Sequence, residues 1–308
     1  MVAYYKTVQN TLQTLEGAEP GCWINMIAPT EAEINEITSA YHLEPSFLRA
    51  ALDEEETSRI EVEDNATLLI VDIPYAEAQP DGGTMFSTLP LAIIVAEQAV
   101  ITVALQETSV VREFAAGNLK NINTSLRTRF TLNLMLRAAG KYLLHLRQIE
   151  KLSSKIENDL YISMKNKELI QLLTLEKSLV YFTTSLKSTE TTLEKLLRGR
   201  ILKLYEEDQD LLEDVIIEFK QAIEMADIYS NILSGTMDAF ASVISNNLSI
   251  IMKVLTVITI LMTIPNIVFS FYGMNVTDLP MPHTWIPIAV AVVTTGLTWL
   301  ILKKKNLY

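Results

Sequence analysis

Cysteine and histidine are scarce in this chain: one Cys and three His among 308 residues. With Cys22 alone, no intramolecular disulfide can form, which fits a reducing compartment for the bulk of the chain. His42, His145 and His283 are scattered, so the soft ligands that a dehydrated zinc site needs are not clustered in the sequence. No Gly-rich phosphate loop and no nucleophile elbow occur, which leaves an enzyme, or a small organic substrate, without residues to rest on. Basic residues are scarce in one place. Residues 1–120 hold five Lys/Arg against nineteen Asp/Glu, a net of −14, whereas the remainder holds twenty against eighteen; together they give −12. Phosphate contacts need clustered Lys/Arg, so a nucleic-acid partner is excluded. The acidic half is read either as a solvated surface or as a field that accumulates cations.

Carboxylates are missing where they would cost most. Leu248 to Phe271 is an apolar run with Lys253 as its one charge, long enough for a hydrocarbon core of ~30 Å. A second apolar run, from Trp285 to Leu302, is close to the lower limit of ~17 residues for a span. Lys303-Lys304-Lys305 follows it, and Gly273 to Thr284 contains no Lys or Arg. The positive-inside rule then puts both termini in the cytoplasm and the loop outside, with Tyr272 and Trp285 at the outer interface. Since Met1 to Lys6 has neither signal-peptide nor transit-peptide character, the two spans do the targeting, to the cell membrane.

The rest divides by periodicity. Residues 1–123 read as an α/β domain: helices at Glu31–Tyr41 (Thr30 and Glu33 forming a capping box) and Pro45–Leu52, then strands at Arg59–Glu63, Thr67–Ile73, Phe86–Val95 and Val100–Leu105. Asp64-Asn65 and Asp81-Gly82-Gly83 read as turns. Residues 124–207 carry two long helices. Residues 208–271 form a stalk helix running into the first span. Leu212, Val215, Phe219, Ala222, Ala226, Tyr229, Leu233, Thr236, Phe240 and Val243 alternate steps of three and four, the coiled-coil repeat. An ordinary amphipathic helix packed on its own domain would give a similar seam. Unbroken, those 64 residues would reach roughly 96 Å. Residues 272–284 form the outer loop, 285–302 the second span and 303–308 a basic tail.

Two spans per chain cannot enclose a solvated path, so conduction requires a closed homo-oligomer. The first span is the pore-lining candidate, because Ser249, Met252, Thr256, Thr259, Thr263, Asn266 and Ser270 recur on one face. Such hydroxyls also serve simply as backbone partners or helix glue. Asn266 needs a polar partner or water, and Pro265 beside it implies a bend or a freed carbonyl. Leu255 and Met252 could close a pore by dewetting. At the end of this span stands Tyr272-Gly273-Met274-Asn275. Magnesium sheds water reluctantly, so a ring of Asn275 amide oxygens could bind the hydrated ion without stripping it. Gly273 lets the chain leave the helix and Tyr272 packs behind the loop.

These residues resemble the CorA family of magnesium channels. The resemblance runs through Asp214-Val215, Ile232–Gly235, Ile244–Asn247, Met252–Thr256, Tyr272–Asn275 and Lys303–Lys305, and covers nearly the whole chain. It implies a pentamer with a cytoplasmic funnel in the lipid bilayer, Mg²⁺ as transported and regulatory ion (Co²⁺ or other divalents in its place), and divalent ions between subunits that hold the funnel closed. Met274 is similar to the magnesium branch; related zinc transporters have Gly-Ile-Asn. Two departures stand out. Met281-Pro282 is followed by His283 where an acidic residue is usual, with Asp278 as the substitute. Asp214 matches the regulatory stalk carboxylate, but its usual partner falls at Ala50, with Asp53, Glu54, Glu55 and Glu56 a turn later; that acidic run is either a solvated helix end or a shifted sensor. Transport of Co²⁺, Ni²⁺ or Zn²⁺, net efflux, and a membrane-tethered scaffold are the rival readings.

Overall fold

The computed structural model describes residues 1–63, 66–78, 83–117, 122–163, 166–199, 201–202, 204–275 and 283–305. The expected turn at Asp64-Asn65, the Asp81-Gly82 part of the next, and the loop residues Asp278 and Met281-Pro282 lie outside them. By compactness the chain divides into residues 1–235 and 236–308.

The first unit is built on a seven-stranded sheet. Its strands are β1 (Val2–Val8), β2 (Thr11–Leu15), β3 (Cys22–Ile27), β4 (Arg59–Glu63), β5 (Ala66–Ala78), β6 (Thr84–Ala96) and β7 (Ala99–Ala104), in the order β2-β1-β3-β7-β6-β5-β4. Only β3 and β7 run parallel; the other pairs are antiparallel. Leu68 to Ile73 is buried at every position, because both faces of the sheet are covered. On one face lie α1 (Glu31–Tyr41) and α2 (Pro45–Arg49), whose Ile34, Ile37, Phe47 and Leu48 share a core with Ile24, Met26, Leu68, Ile70, Ile94 and Ile101. The α1 capping box forms as the sequence predicts: the Glu33 amide donates to the Thr30 hydroxyl at 3.3 Å, and the Thr30 amide to the Glu33 carboxylate at 2.7 Å.

On the other face are α3 (Ser109–Ala115), α4 (Arg127–Ser163) and α5 (Asn166–Gly199). Trp23 anchors one end of this layer, stacked on Tyr5 at 4.9 Å and tilted against Phe130 at 5.3 Å. Its indole N–H donates to the Thr102 hydroxyl at 2.8 Å, so a buried polar atom is satisfied. A second aromatic group joins the sheet to three helices: Phe86 of β6, Tyr142 of α4, Phe182 of α5 and Phe219 of the next helix, α6 (Glu206–Tyr272).

The seam from Leu212 to Ala226 is buried, and it is covered by the chain's own helices. Phe219 meets Tyr142 at 6.2 Å, Asp227 accepts from Lys187 at 3.1 Å, and Lys220 reaches Glu194 at 3.3 Å. These pairs set α6 antiparallel to α5. Of the seam positions, Val243 is exposed. The second unit holds the rest of α6 and α7 (Trp285–Lys304); among the described residues these are the two helices long and apolar enough to cross a membrane.

Candidate functional site

Within the second unit, α6 has two faces of different character. Val257 is buried and Leu261, Ile264, Pro265, Val268 and Tyr272 are half-buried. Ser249, Met252, Leu255, Thr256, Thr259, Thr263, Asn266 and Ser270 are all exposed. At about 100° per residue the two sets lie on opposite sides of the helix. Leu261 and Pro265 of the first set, with Phe269 at its edge, share an apolar cleft with Ile288, Ala291, Val292, Thr295, Gly296 and Trp299 of α7. The polar face therefore has no cover from the chain's own second membrane helix.

Four of the hydroxyls on that face are turned to their own backbone. Ser249 donates to the Ser245 carbonyl at 3.0 Å, Thr256 to Met252 at 2.7 Å, Thr259 to Leu255 at 2.8 Å and Thr263 to Thr259 at 2.7 Å. Back-bonding of this kind is how Ser and Thr are accommodated in an apolar helix. Each oxygen keeps a lone pair for water, but the proton is committed. Asn266 has no such local solution among the described residues, and it is the strongest polar group on the face.

At the end of α6 the Gly273 amide still donates to the Phe269 carbonyl, at 2.9 Å, and the Met274 amide to Phe271 at 3.4 Å. A Cβ on Gly273 would stand 3.1 Å from the Phe269 oxygen, closer than side-chain carbons normally sit. Close approach, not a positive φ, is what glycine supplies here. Asn275 follows outside the helix and is exposed, as is Met274. Tyr272 is half-buried with its ring edge-on to Phe271 at 5.7 Å. At the other end of α7, the Lys303 ammonium lies 5.1 Å from the Trp299 ring centre.

In the first unit, Asp214 and Asp53 are both exposed. Asp53 spends one carboxylate oxygen on the Glu55 amide at 3.0 Å. Ala50, where the expected carboxylate is missing, is buried. It borders an open cleft of about 650 Å³ with Glu44, Pro45, Ser46, Arg49, Asp53, Glu56 and Arg59. Glu56 is ion-paired to Arg59, and Arg49 to Glu31 at 2.7 Å. Glu44 was not visible as a candidate in the sequence, because it precedes α2 rather than belonging to the acidic run. Among the described residues, no three His, Cys, Asp or Glu side chains gather as a metal centre within one chain.

A buried carboxyl also emerges that the sequence did not mark. Asp72 lies inside the apolar stretch of β5, and burial pushes it up to about 6, against the pull of the Ser185 hydroxyl. The Tyr142 hydroxyl donates to the Asp72 main-chain carbonyl at 3.1 Å.

Comparison with known proteins agrees with this architecture. A cobalt/magnesium transport protein, CorA, from Methanocaldococcus jannaschii is 25% identical over 287 residues, covering 88% of this chain and 86% of that protein. The complete structure of the CorA magnesium transporter from the same organism superposes with a TM-score of 0.83 at 21% identity, covering 98% of this chain and 97% of the other. Full-length CmaX has a TM-score of 0.73 at 14% identity, over 99% and 97%. The cytoplasmic domain of ZntB from Vibrio parahaemolyticus has 0.61 at 15% identity, over 80% and 97%. The family model for the CorA-like Mg²⁺ transporter protein matches residues 19–304, and the chain belongs to that family.

Proposed function

We propose that this protein is a Mg²⁺ channel that passes the ion in hydrated form. The observation that carries the reading is the uncovered polar face of α6, opposite the face that meets α7 and leading to an exposed Asn275. In a membrane such a face requires either other copies of the chain or water. A closed ring of copies, five by family resemblance, supplies both, with each α6 turning its polar side to a common axis. Both termini then lie in the cytoplasm of the cell membrane.

The chemistry follows from what the pore lacks. No carboxylate is present between Leu248 and Tyr272, so a bare Mg²⁺ would lose hydration energy that nothing replaces. Hydrated Mg²⁺ instead presents water protons outward. Asn275 amide oxygens accept them at the mouth, Asn266 and the remaining lone pairs of Thr256, Thr259 and Thr263 accept them inside, and Met252 with Leu255 forms the apolar constriction. Asp214 and Asp53 are the proposed cytoplasmic sensing carboxylates. Glu44 supplies negative charge beside Ala50 in the same cleft as Asp53. Without bound cations these groups repel and the funnel loosens.

Carriage of Co²⁺ is a second reading, supported by the relative whose name joins cobalt with magnesium. The test is uptake by liposomes containing the purified protein and a Mg²⁺-sensitive dye, with Co²⁺, Ni²⁺ or Zn²⁺ as competitor. The channel reading expects Mg²⁺ entry that falls as internal Mg²⁺ is raised, and competition by Co²⁺. Dye signals no greater than those of empty liposomes would leave a membrane-tethered scaffold as the better account.

A further inference from the structure

The cleft between α6 and α7 is open on one side, encloses about 450 Å³, and its surface is almost wholly apolar. Leu261 and Pro265 bring half-buried side chains to it, while Phe269, Ile288, Val292 and Trp299 stand around it exposed. Thr295 is its one polar side chain, and the hydroxyl oxygen there is buried out of reach. Gly296 helps to make the space. A Cβ on it would meet nothing within 4 Å, and it sits inside a regular helix, so what glycine leaves here is volume.

An empty apolar space forfeits the dispersion contacts its walls would make, so in a bilayer a cleft of this kind fills with hydrocarbon. Length, position and charge say which hydrocarbon. From Ile288 to Trp299 the cleft runs roughly 16 Å along α7 at 1.5 Å per residue. That is about half of a ~30 Å hydrocarbon core, the depth of one acyl chain. Thr256, Thr259 and Thr263 lie on the other side of α6, so a ring that turns them inward leaves the cleft toward lipid. At the Trp299 end the Lys303 ammonium lies 5.1 Å from the indole centre, and Lys304 and Lys305 follow. All three are exposed, and none pairs with a carboxylate among the described residues. Beyond the Ile288 end, Gly273 to Thr284 contains no Lys or Arg. The cleft thus has a cationic end and an uncharged one.

We propose that this cleft is a binding site for an anionic phospholipid: one acyl chain lies between α6 and α7 beside Pro265 and Gly296, and the phosphate rests on Lys303. Trp299 serves both parts, since it lines the cleft and holds the ammonium at its end through a cation–π contact. Basic groups between membrane helices on the cytoplasmic side recognise headgroups of this kind. The site rests on the reading that α6 and α7 cross a membrane with the polar face of α6 inward, and not on which ion is carried.

The test uses the full-length protein in detergent, with dioleoylphosphatidylglycerol, dioleoylphosphatidylcholine or glycerol 3-phosphate added. Bound lipid is read by native mass spectrometry and its effect by thermal unfolding. Phosphatidylglycerol should be retained severalfold more than phosphatidylcholine and should raise Tm by roughly 2–4 °C. Glycerol 3-phosphate, a headgroup without a chain, should leave Tm unchanged. Lys303→Gln should reduce the phosphatidylglycerol shift to that of phosphatidylcholine. Gly296→Leu puts a side chain into the cleft at a helical position and should abolish both shifts, with the elution volume on gel filtration unchanged. Equal shifts by the two lipids in the parent, a full shift in Gly296→Leu, or a shift from glycerol 3-phosphate alone would each overturn the site. A changed elution volume in Gly296→Leu would show another copy of the chain covering the cleft, and would overturn it as well. If Gly296→Leu does not accumulate, Lys303→Gln against the two lipids decides. Mg²⁺ entry without lipid preference would remove the site and spare the channel; lipid preference without Mg²⁺ entry would do the reverse.

Discussion

The Gly273 amide donates to the Phe269 carbonyl at 2.9 Å, the last α-helical bond before Asn275 leaves the helix. The carbonyl that closes this bond is also the atom a side chain at Gly273 would crowd, at 3.1 Å, so that one of the two must give by a few tenths of an ångström. Exit direction and the absence of a Cβ are therefore linked. Asn275 is aimed by the backbone two residues before it.

Gly273→Ala should consequently move Asn275 while leaving the rest of the chain intact. Mg²⁺ entry is expected to drop roughly tenfold, the equivalent of about 1.4 kcal/mol on the path through the mouth. Elution volume on gel filtration should not change. Flux equal to the parent's would show that the approach to Phe269 does not govern the mouth.

The hydroxyls of Thr256, Thr259 and Thr263 have committed their protons to the helix, so their removal should matter little. Thr256→Val and Thr263→Val are each expected to change Mg²⁺ flux by less than about threefold, equivalent to about 0.65 kcal/mol. Asn266→Leu should cut it far more, because that amide has no local partner to begin with. Stopped-flow dye measurements on the three variants check the order. A loss in Thr263→Val as large as in Asn266→Leu would mean that a hydroxyl lone pair holds the ion's water shell as strongly as the free amide does.

Asp72 gives the first unit a pH dependence. Its folded value of about 6 is above the ~3.9 of an unfolded chain, so the folded state holds a proton that the unfolded state releases. That advantage is complete below about pH 4, declines as pH rises and is gone above about pH 6. Asp72→Asn keeps the shape without the charge. It should gain on the parent as pH rises from 4.5 to 6.5, levelling near 2–3 kcal/mol, an order-of-magnitude figure. Thermal melts of both proteins across that range check it; a difference that stays constant would contradict the assignment.

What could be read from the sequence follows from how local each signal is. The capping box of α1 is a four-residue pattern, and its two bonds form as expected. The long helices announce themselves by length: two lie within 124–207, at 127–163 and 166–199, and the stalk and second span are each longer by a few residues than expected, at 206–272 and 285–304. The β1–β2 hairpin escaped because its turn uses Gln9 and Asn10, both at positive φ (51° and 64°), in place of the Asn-Gly pair that marks such turns. Helix α3 is seven residues long, too short for periodicity to register. On the seam of α6 the residues were clear but their partner was not. A three-four repeat fits another copy as well as the same chain, and Phe219 against Tyr142 settles it for the stretch down to Ala226. The polar face of α6 was legible as a pattern, whereas its separation from α7 needed coordinates.

The central claim is that Asn275 holds the hydrated ion at the mouth, and one measurement addresses it most directly. Mg²⁺ entry should be compared between the parent protein and Asn275→Ala, reconstituted at equal density and shown by cross-linking to form the same oligomer. The account predicts that entry falls to the level of protein-free liposomes while assembly is unchanged. Undiminished Mg²⁺ entry through an intact Asn275→Ala oligomer would contradict it.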